Sequence, residues 1–259
     1  MSQIDDSTTE TAPVGALGVG GRGWDHLTQD DAALANAYRR LALAPRSGPL
    51  PEMVQELIGL AAAAACSGID SDAIRSHVRA ALAHGATVEQ LRETVQLVSI
   101  QGIHTVTMGT PIVLQEAEAA ALPVPASDRP DVQTVKDEFV RRRGYWSPLW
   151  DAVASFDPPF LAAYLDYSSI PWEHGTLEPK VREFIYIAIN SVTTHLFPDG
   201  LRVHVRNAFA HGATPAEVVT VFEIVAGIGI RSALTALPII AAEHELLAAD
   251  SPLQEASHD

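Results

Sequence analysis

His77-Val-Arg-Ala-Ala-Leu-Ala-His84-Gly-Ala-Thr87 returns as His204-Val-Arg-Asn-Ala-Phe-Ala-His211-Gly-Ala-Thr214, so the chain carries one segment twice, 127 positions apart. The correspondence extends without a gap in both directions. Glu56 matches Glu183, Arg75 matches Arg202, Gly102 and Ile103 match Gly229 and Ile230, Pro111 matches Pro238, and Glu116 matches Glu243. A weaker upstream echo sets Leu34-Ala-Asn-Ala-Tyr38 against Leu161-Ala-Ala-Tyr164 with a one-residue gap. A repeat of this length is a structural unit in its own right, and finding it precedes any reading of motifs.

Each copy reads as helices. Ile74, His77, Val78 and Ala81 follow the i, i+3, i+4, i+7 spacing of one helix face, as do Leu201, His204, Val205 and Ala208, and Val88, Leu91, Val95 and Val98 mark the inner face of the next helix. In the His-Gly-Ala-Thr link, the imidazole suits the carbonyl end of a helix, Gly can take the left-handed exit, and Thr caps the following helix. Gln90 and Glu217, three residues after Thr87 and Thr214, complete capping boxes, and Pro215 takes the first helical position. No segment shows a convincing strand alternation, so the expected class is all-α, with two tandem helical units. The expected organisation is a flexible tail over 1–24, a first unit over 25–122, a linker over 123–130, a second unit over 131–249 and a tail over 250–259.

Composition narrows the function. The chain has 259 residues, 32 acidic and 17 basic side chains, a net charge of −15 and one cysteine. The negative balance repels phosphate backbones, and the one basic cluster is Arg141-Arg142-Arg143, so nucleic acid is not an expected partner. Cys66 can form neither an intrachain disulfide nor a CxxC pair and reads as an inert core thiol. Residues 1–24 lack the basic and apolar regions of a signal peptide. The apolar stretch Val218–Ile240 is interrupted by Glu223, Arg231 and Pro238, which favours a buried helix pair over a membrane span. A cytoplasmic protein without a membrane partner is expected.

Candidate chemistry sits on the repeat. Glu56 and Glu183 lie in the first half of apolar helices, and His77 and His204 fall on the buried stripe of the next. A carboxylate that accepts from one ring nitrogen fixes the tautomer and leaves the other nitrogen for proton transfer. The alternative is a pair that satisfies itself structurally. From Glu183, helical spacing leads to Tyr186, Asn190 and Thr194, with His195 just beyond, whereas the first copy has Glu56, Gly59, Ala63, Ser67 and Gly68. The second copy is therefore expected to line the better-equipped pocket. Arg231 and His104 occupy equivalent places after Gly-Ile, and Arg231 should meet a carboxylate from the protein or from a substrate. His84 and His211 lie two turns, roughly 10.5 Å, from His77 and His204, too far to share an ion, and no HExxH or cysteine cluster supports a metal.

These residues resemble the carboxymuconolactone decarboxylase family, which shares its fold with AhpD-like thiol peroxidases. The resemblance rests on Arg182-Glu183-Phe-Ile185, then His204, Ala208, Gly212, Thr214 and Glu217, with the entry Leu177-Glu-Pro-Lys-Val-Arg-Glu183; the first copy fits from Gln55-Glu56-Leu-Ile58 to Thr87. It implies two AhpD-like units forming an intrachain pseudo-dimer, and a homo-oligomer of such pseudo-dimers. The paired cysteines of the peroxidase branch are absent from both copies, so a redox role is disfavoured. The decarboxylase branch implies a lyase without metal or organic cofactor, acting on a small carboxylate or lactone. The sequence departs from that branch at His104 and Arg231, where it often has Pro. On this reading His204, Glu183 and His195 are catalytic, Arg231, Asn190, Tyr186 and Thr194 bind substrate, and Glu56, His77 and His104 are secondary candidates in the first unit. A hydrolase or isomerase of a lactone or enol acid using the same site, and a non-catalytic helical binding or assembly protein, are the alternatives.

Overall fold

The computed structural model describes residues 19–250. The first unit comprises α1 (Gly21–Asp30), α2 (Ala32–Leu43), α3 (Glu52–Ala64), α4 (Ser71–Ala83), α5 (Val88–Ser99) and α6 (His104–Ala119). The second comprises α7 (Pro130–Arg143), α8 (Asp151–Phe156), α9 (Pro158–His174), α10 (Pro179–Ser191), α11 (Pro198–Ala210), α12 (Pro215–Ala226) and α13 (Arg231–Asp250). Among the described residues there is no strand, so the fold is all-α.

The core is organised by α3 and α10, which are buried all round over Val54–Ala63 and Val181–Asn190 and pack against each other. Helices this apolar persist only as central elements. Each forms a hairpin with the helix carrying its histidine, α4 or α11, and α5 and α12 close the layer. Both capping boxes form, and Gly85 and Gly212 take left-handed φ values of 88° and 83° where the chain leaves each His-bearing helix.

The two units are related by a pseudo-twofold axis. Ser67 Oγ and Thr194 Oγ1, equivalent positions of the two copies, meet at 2.7 Å. Around it, Arg231 pairs with Asp70 while His104 stacks against Phe197, and Arg231 donates to the Gly68 carbonyl while His104 bonds His195. Each contact is the other's counterpart at the same offset. The last helix of each unit crosses to its neighbour, α6 against α8 and α13 against α1.

Several expectations change here. Val19 and Trp24 are buried and α1 begins at Gly21, so the residues from 19 onward are part of the fold, where Trp24 joins Leu27, Ala35 and Tyr38 in a small core; the rest of the expected N-terminal tail lies outside the described residues. Of the expected C-terminal tail, residue 250 ends α13 and the rest lies outside the described residues. Cys66 is exposed, held through Sγ and its backbone N–H to Gln101 Oε1 at 3.1 Å. On α5 the buried positions are Leu91, Glu93, Thr94, Leu97 and Val98, whereas Val88 and Val95 are exposed. By length and composition, Val88–Ala119 and Pro215–Ala248 could each cross a membrane. Here a 3-10 turn interrupts each, at Ile100–Ile103 and Gly227–Ile230. The expected burial of the second pair holds for the inner face of α12 only, since α13 leaves Ile239 and Ile240 exposed.

Candidate functional site

Glu183, 2% exposed in mid-core, accepts from His204 Nδ1 at 2.7 Å and from Asn207 at 3.4 Å. The carboxylate fixes the imidazole through Nδ1, and Nε2, with no protein partner among the described residues, is left for the cavity that His204 lines. That cavity, about 50 Å³, has mostly apolar walls, including Ile103, Phe139, Ile189 and Phe197. Tyr186 and Asn190 line it one and two turns along α10 from Glu183; Tyr186 tilts against the His204 ring at 4.5 Å. Asn190 donates to the Tyr186 carbonyl at 2.8 Å, while its Oδ1 is buried without a partner beside Gly200, where any Cβ would lie 2.5 Å away.

Arg143 is set into the same wall. The three arginines of the basic run part company at the end of α7: Arg141 pairs with Glu138, Arg142 with Asp166 and Glu173, and Arg143 turns toward the cavity as Gly144 takes the left-handed exit at φ 79°. Arg143 donates to the Ser168 carbonyl at 2.9 Å, lies 4.8 Å over the Trp172 ring and stands near the hydroxyls of Tyr186 and Tyr145. No carboxylate among the described residues pairs with it. Burial pushes the hydroxyls of Tyr145, Tyr164 and Tyr186 up, so all three are neutral donors at physiological pH. His104 closes another side, its pKa pushed down to about 3 by burial and by the neighbouring His195 and His204. His195 itself stands behind His104 at 2.6 Å, and burial lowers it as well.

The first copy repeats the pair in a different setting. Glu56 accepts from His77 Nδ1 at 2.8 Å and forms an ion pair with Arg46 at 2.5 Å. Gly59 replaces Tyr186 and Ala63 replaces Asn190; a Cβ on Gly59 would lie 2.2 Å from His77 Cε1, so the ring occupies that space. The result is an open cleft of about 590 Å³ lined by Tyr38, Arg46, Asp70, His77, Thr194 and Arg231. Arg231 and Thr194, grouped with His204 on sequence grounds, therefore belong to the first copy's cleft, and His104, grouped with the first unit, belongs to the second copy's cavity. The pseudo-twofold arrangement is the reason: the Gly-Ile turn of each copy is delivered to the other copy's pair. Arg231 meets its carboxylate inside the protein, at Asp70 (3.2 Å), and burial lowers its pKa.

The sequence model of the carboxymuconolactone decarboxylase family matches residues 32–102 and 158–242, one segment in each unit. The chain belongs to this family. A solved structure of a Burkholderia xenovorans LB400 protein, provisionally named a gamma-carboxymuconolactone decarboxylase subunit, is 36% identical, superposes with a TM-score of 0.86 and covers 94% of this chain and 99% of its own. None of the curated proteins compared with the chain matches it. The tandem two-unit organisation is thus a property this member of the family shares with a solved relative. The family's name and the relative's both denote decarboxylation.

Side chains absent from the sequence reading complete both sites: Arg143, Tyr145, Tyr164 and Trp172 in the second, Tyr38 and Arg46 in the first. Two signals pointed to them. Tyr38 and Tyr164 are the aligned residues of the weak upstream echo, and Arg143 ends a basic run immediately before a glycine.

Proposed function

We propose that the protein is a cofactor-free lyase that decarboxylates a small unsaturated or lactone carboxylic acid in the cavity of the second unit. The observation that carries this reading is the Glu183–His204 pair opening onto a small, mostly apolar space. In the reaction the C–CO2 bond breaks, its electron pair passes into a conjugated carbonyl to give an enolate, and CO2 leaves. Protonated His204 then delivers the Nε2 proton to carbon, with Glu183 holding the ring in register; a proton from solvent restores it. Apolar walls favour the step because the departing CO2 is neutral and the charge spreads from the carboxylate into the enolate in the transition state.

The test is CO2 release from a panel of β-keto, enol and lactone acids. Removal of a positioned proton donor is expected to lower kcat by about 10²–10⁴-fold in His204→Gln, with helicity and melting temperature retained. Glu183→Gln should fall less, because the imidazole remains although poorly oriented. Substrate turnover without CO2 would replace decarboxylation by hydrolysis or isomerisation. Loss of turnover in His77→Gln but not in His204→Gln would move the chemistry to the first cleft, and unchanged turnover in both would leave the pairs structural.

A further inference from the structure

Two groups of the second cavity are left unsatisfied by the protein itself. Arg143 carries a charge with no carboxylate partner among the described residues, although three neutral tyrosines and Trp172 surround it. A cation in such a wall is costly unless an anion joins it. Asn190 Oδ1 is a buried acceptor with no donor, and a buried acceptor left unmade forfeits its desolvation cost. Both residues line the cavity beside Tyr186, Arg143 near its hydroxyl and Asn190 bonded to its backbone carbonyl. The space is also small. About 50 Å³ accommodates roughly four waters at ~10–15 Å³ each, so the space suits a small molecule.

Resting on the function proposed above, we infer that Arg143 and Asn190 select the substrate: a small carboxylic acid with a neighbouring hydroxyl or enol O–H, its carboxylate on Arg143 and its O–H donated to Asn190 Oδ1. This favours an open hydroxy or enol acid over a closed lactone, which has no O–H to give. Tyr145 and Tyr186, as neutral donors, supply the remaining bonds to the anion. Arg143 and Asn190 act by binding and placing the molecule, and His204 remains the proton donor.

Calorimetric titration of the full chain with three probes of nearly equal size tests this directly. Lactate has both groups, propionate lacks the hydroxyl, and lactamide lacks the charge. Lactate should bind about tenfold tighter than propionate and about ten- to a hundredfold tighter than lactamide. Arg143→Gln should abolish the advantage over lactamide, Arg143→Lys should keep part of it, and Asn190→Leu should abolish the advantage over propionate, with melting curves confirming that each variant folds. Equal binding of the three probes, no lactate binding to the wild type at tens of millimolar, or equal preferences in Arg143→Gln and the wild type would overturn the inference. Equal binding of lactate and propionate would assign Asn190 to a water and remove the hydroxyl from the substrate. Because binding is read without turnover, a preference for lactate with no decarboxylation sinks the proposed reaction alone, whereas CO2 release with indifferent binding sinks this inference alone.

Discussion

Replacing Glu93 with Ala should destabilise the protein more than any other single change outside the two pairs. Glu93 is 2% exposed on α5, yet it accepts from Arg182 Nε at 2.6 Å and from the backbone N–H groups of Thr176 and Leu177 at 2.5 and 2.8 Å. It joins the first unit to the turn that launches α10, the helix carrying Glu183. Gly175 permits the approach, since a Cβ there would lie 2.2 Å from the Glu93 carboxyl carbon. Ala at 93 leaves the Arg182 guanidinium, 7% exposed, and two N–H groups without an acceptor. Removing one partner of a buried pair costs about 3–5 kcal/mol. At roughly 2–4 °C per kcal/mol for a chain of this size, the melting temperature should fall by about 6–20 °C. At the equivalent positions of the other half stand Thr220 and Gln55, a neutral solution to the same place in the fold. The double variant Glu93→Thr, Arg182→Gln should therefore recover at least half of the loss. Urea unfolding followed by circular dichroism measures both. A Glu93→Ala protein within about 1 kcal/mol of the wild type, or a double variant no better than the single one, would refute the reasoning.

Burial pushes the Tyr38 hydroxyl up to about 12, partly offset by Arg231 and reinforced by Asp70. The unfolded chain ionises first, so this contribution is intact below pH ~10 and is lost as pH rises toward 12, by about 1.4 kcal/mol per unit; urea midpoints between pH 8 and 12 should fall less steeply in Tyr38→Phe. The exposed apolar residues Met108, Ile112 and Val113 on α6, and Ile239, Ile240, Leu246 and Leu247 on α13, include the equivalent positions 112/239 and 113/240 of the two halves and suit self-association. Light scattering should give a mass above that of one chain, and Val113→Glu with Ile240→Glu should return it to one chain; a wild-type monomer would refute this.

The helical class, both capping boxes and both Glu/His contacts were legible because each is local or is repeated: a cap needs residues three apart, and the pairs recur at one offset. What was not legible is who faces whom across the repeat. Sequence distance placed Arg231 with His204, whereas the pseudo-twofold axis hands it to His77. Glu93 broke the apolar period of α5 for a similar reason, since its partners lie more than 80 residues away. The polar stripe of α10 correctly marked Tyr186 and Asn190 as lining a cavity, but stripe length said nothing of volume. The bulk that equips the second copy also fills it, and Gly59 leaves the first copy wide. Arg143 was visible only as a charge in a run; its inward turn depends on Gly144 and on carboxylates that claim its two neighbours.

In a homodimer of the same geometry a single codon would write both pockets, and Gly59 could not coexist with Tyr186. Joining the copies in one gene gives every wall its own codon, so one pocket can stay narrow while the other widens. The exchanged turns limit that freedom: residue 231 is encoded with the second unit but shapes the first cleft, and residue 104 does the reverse. Neither half of this gene encodes a whole pocket, and a chain divided between residues 122 and 130 must reassemble before either one exists.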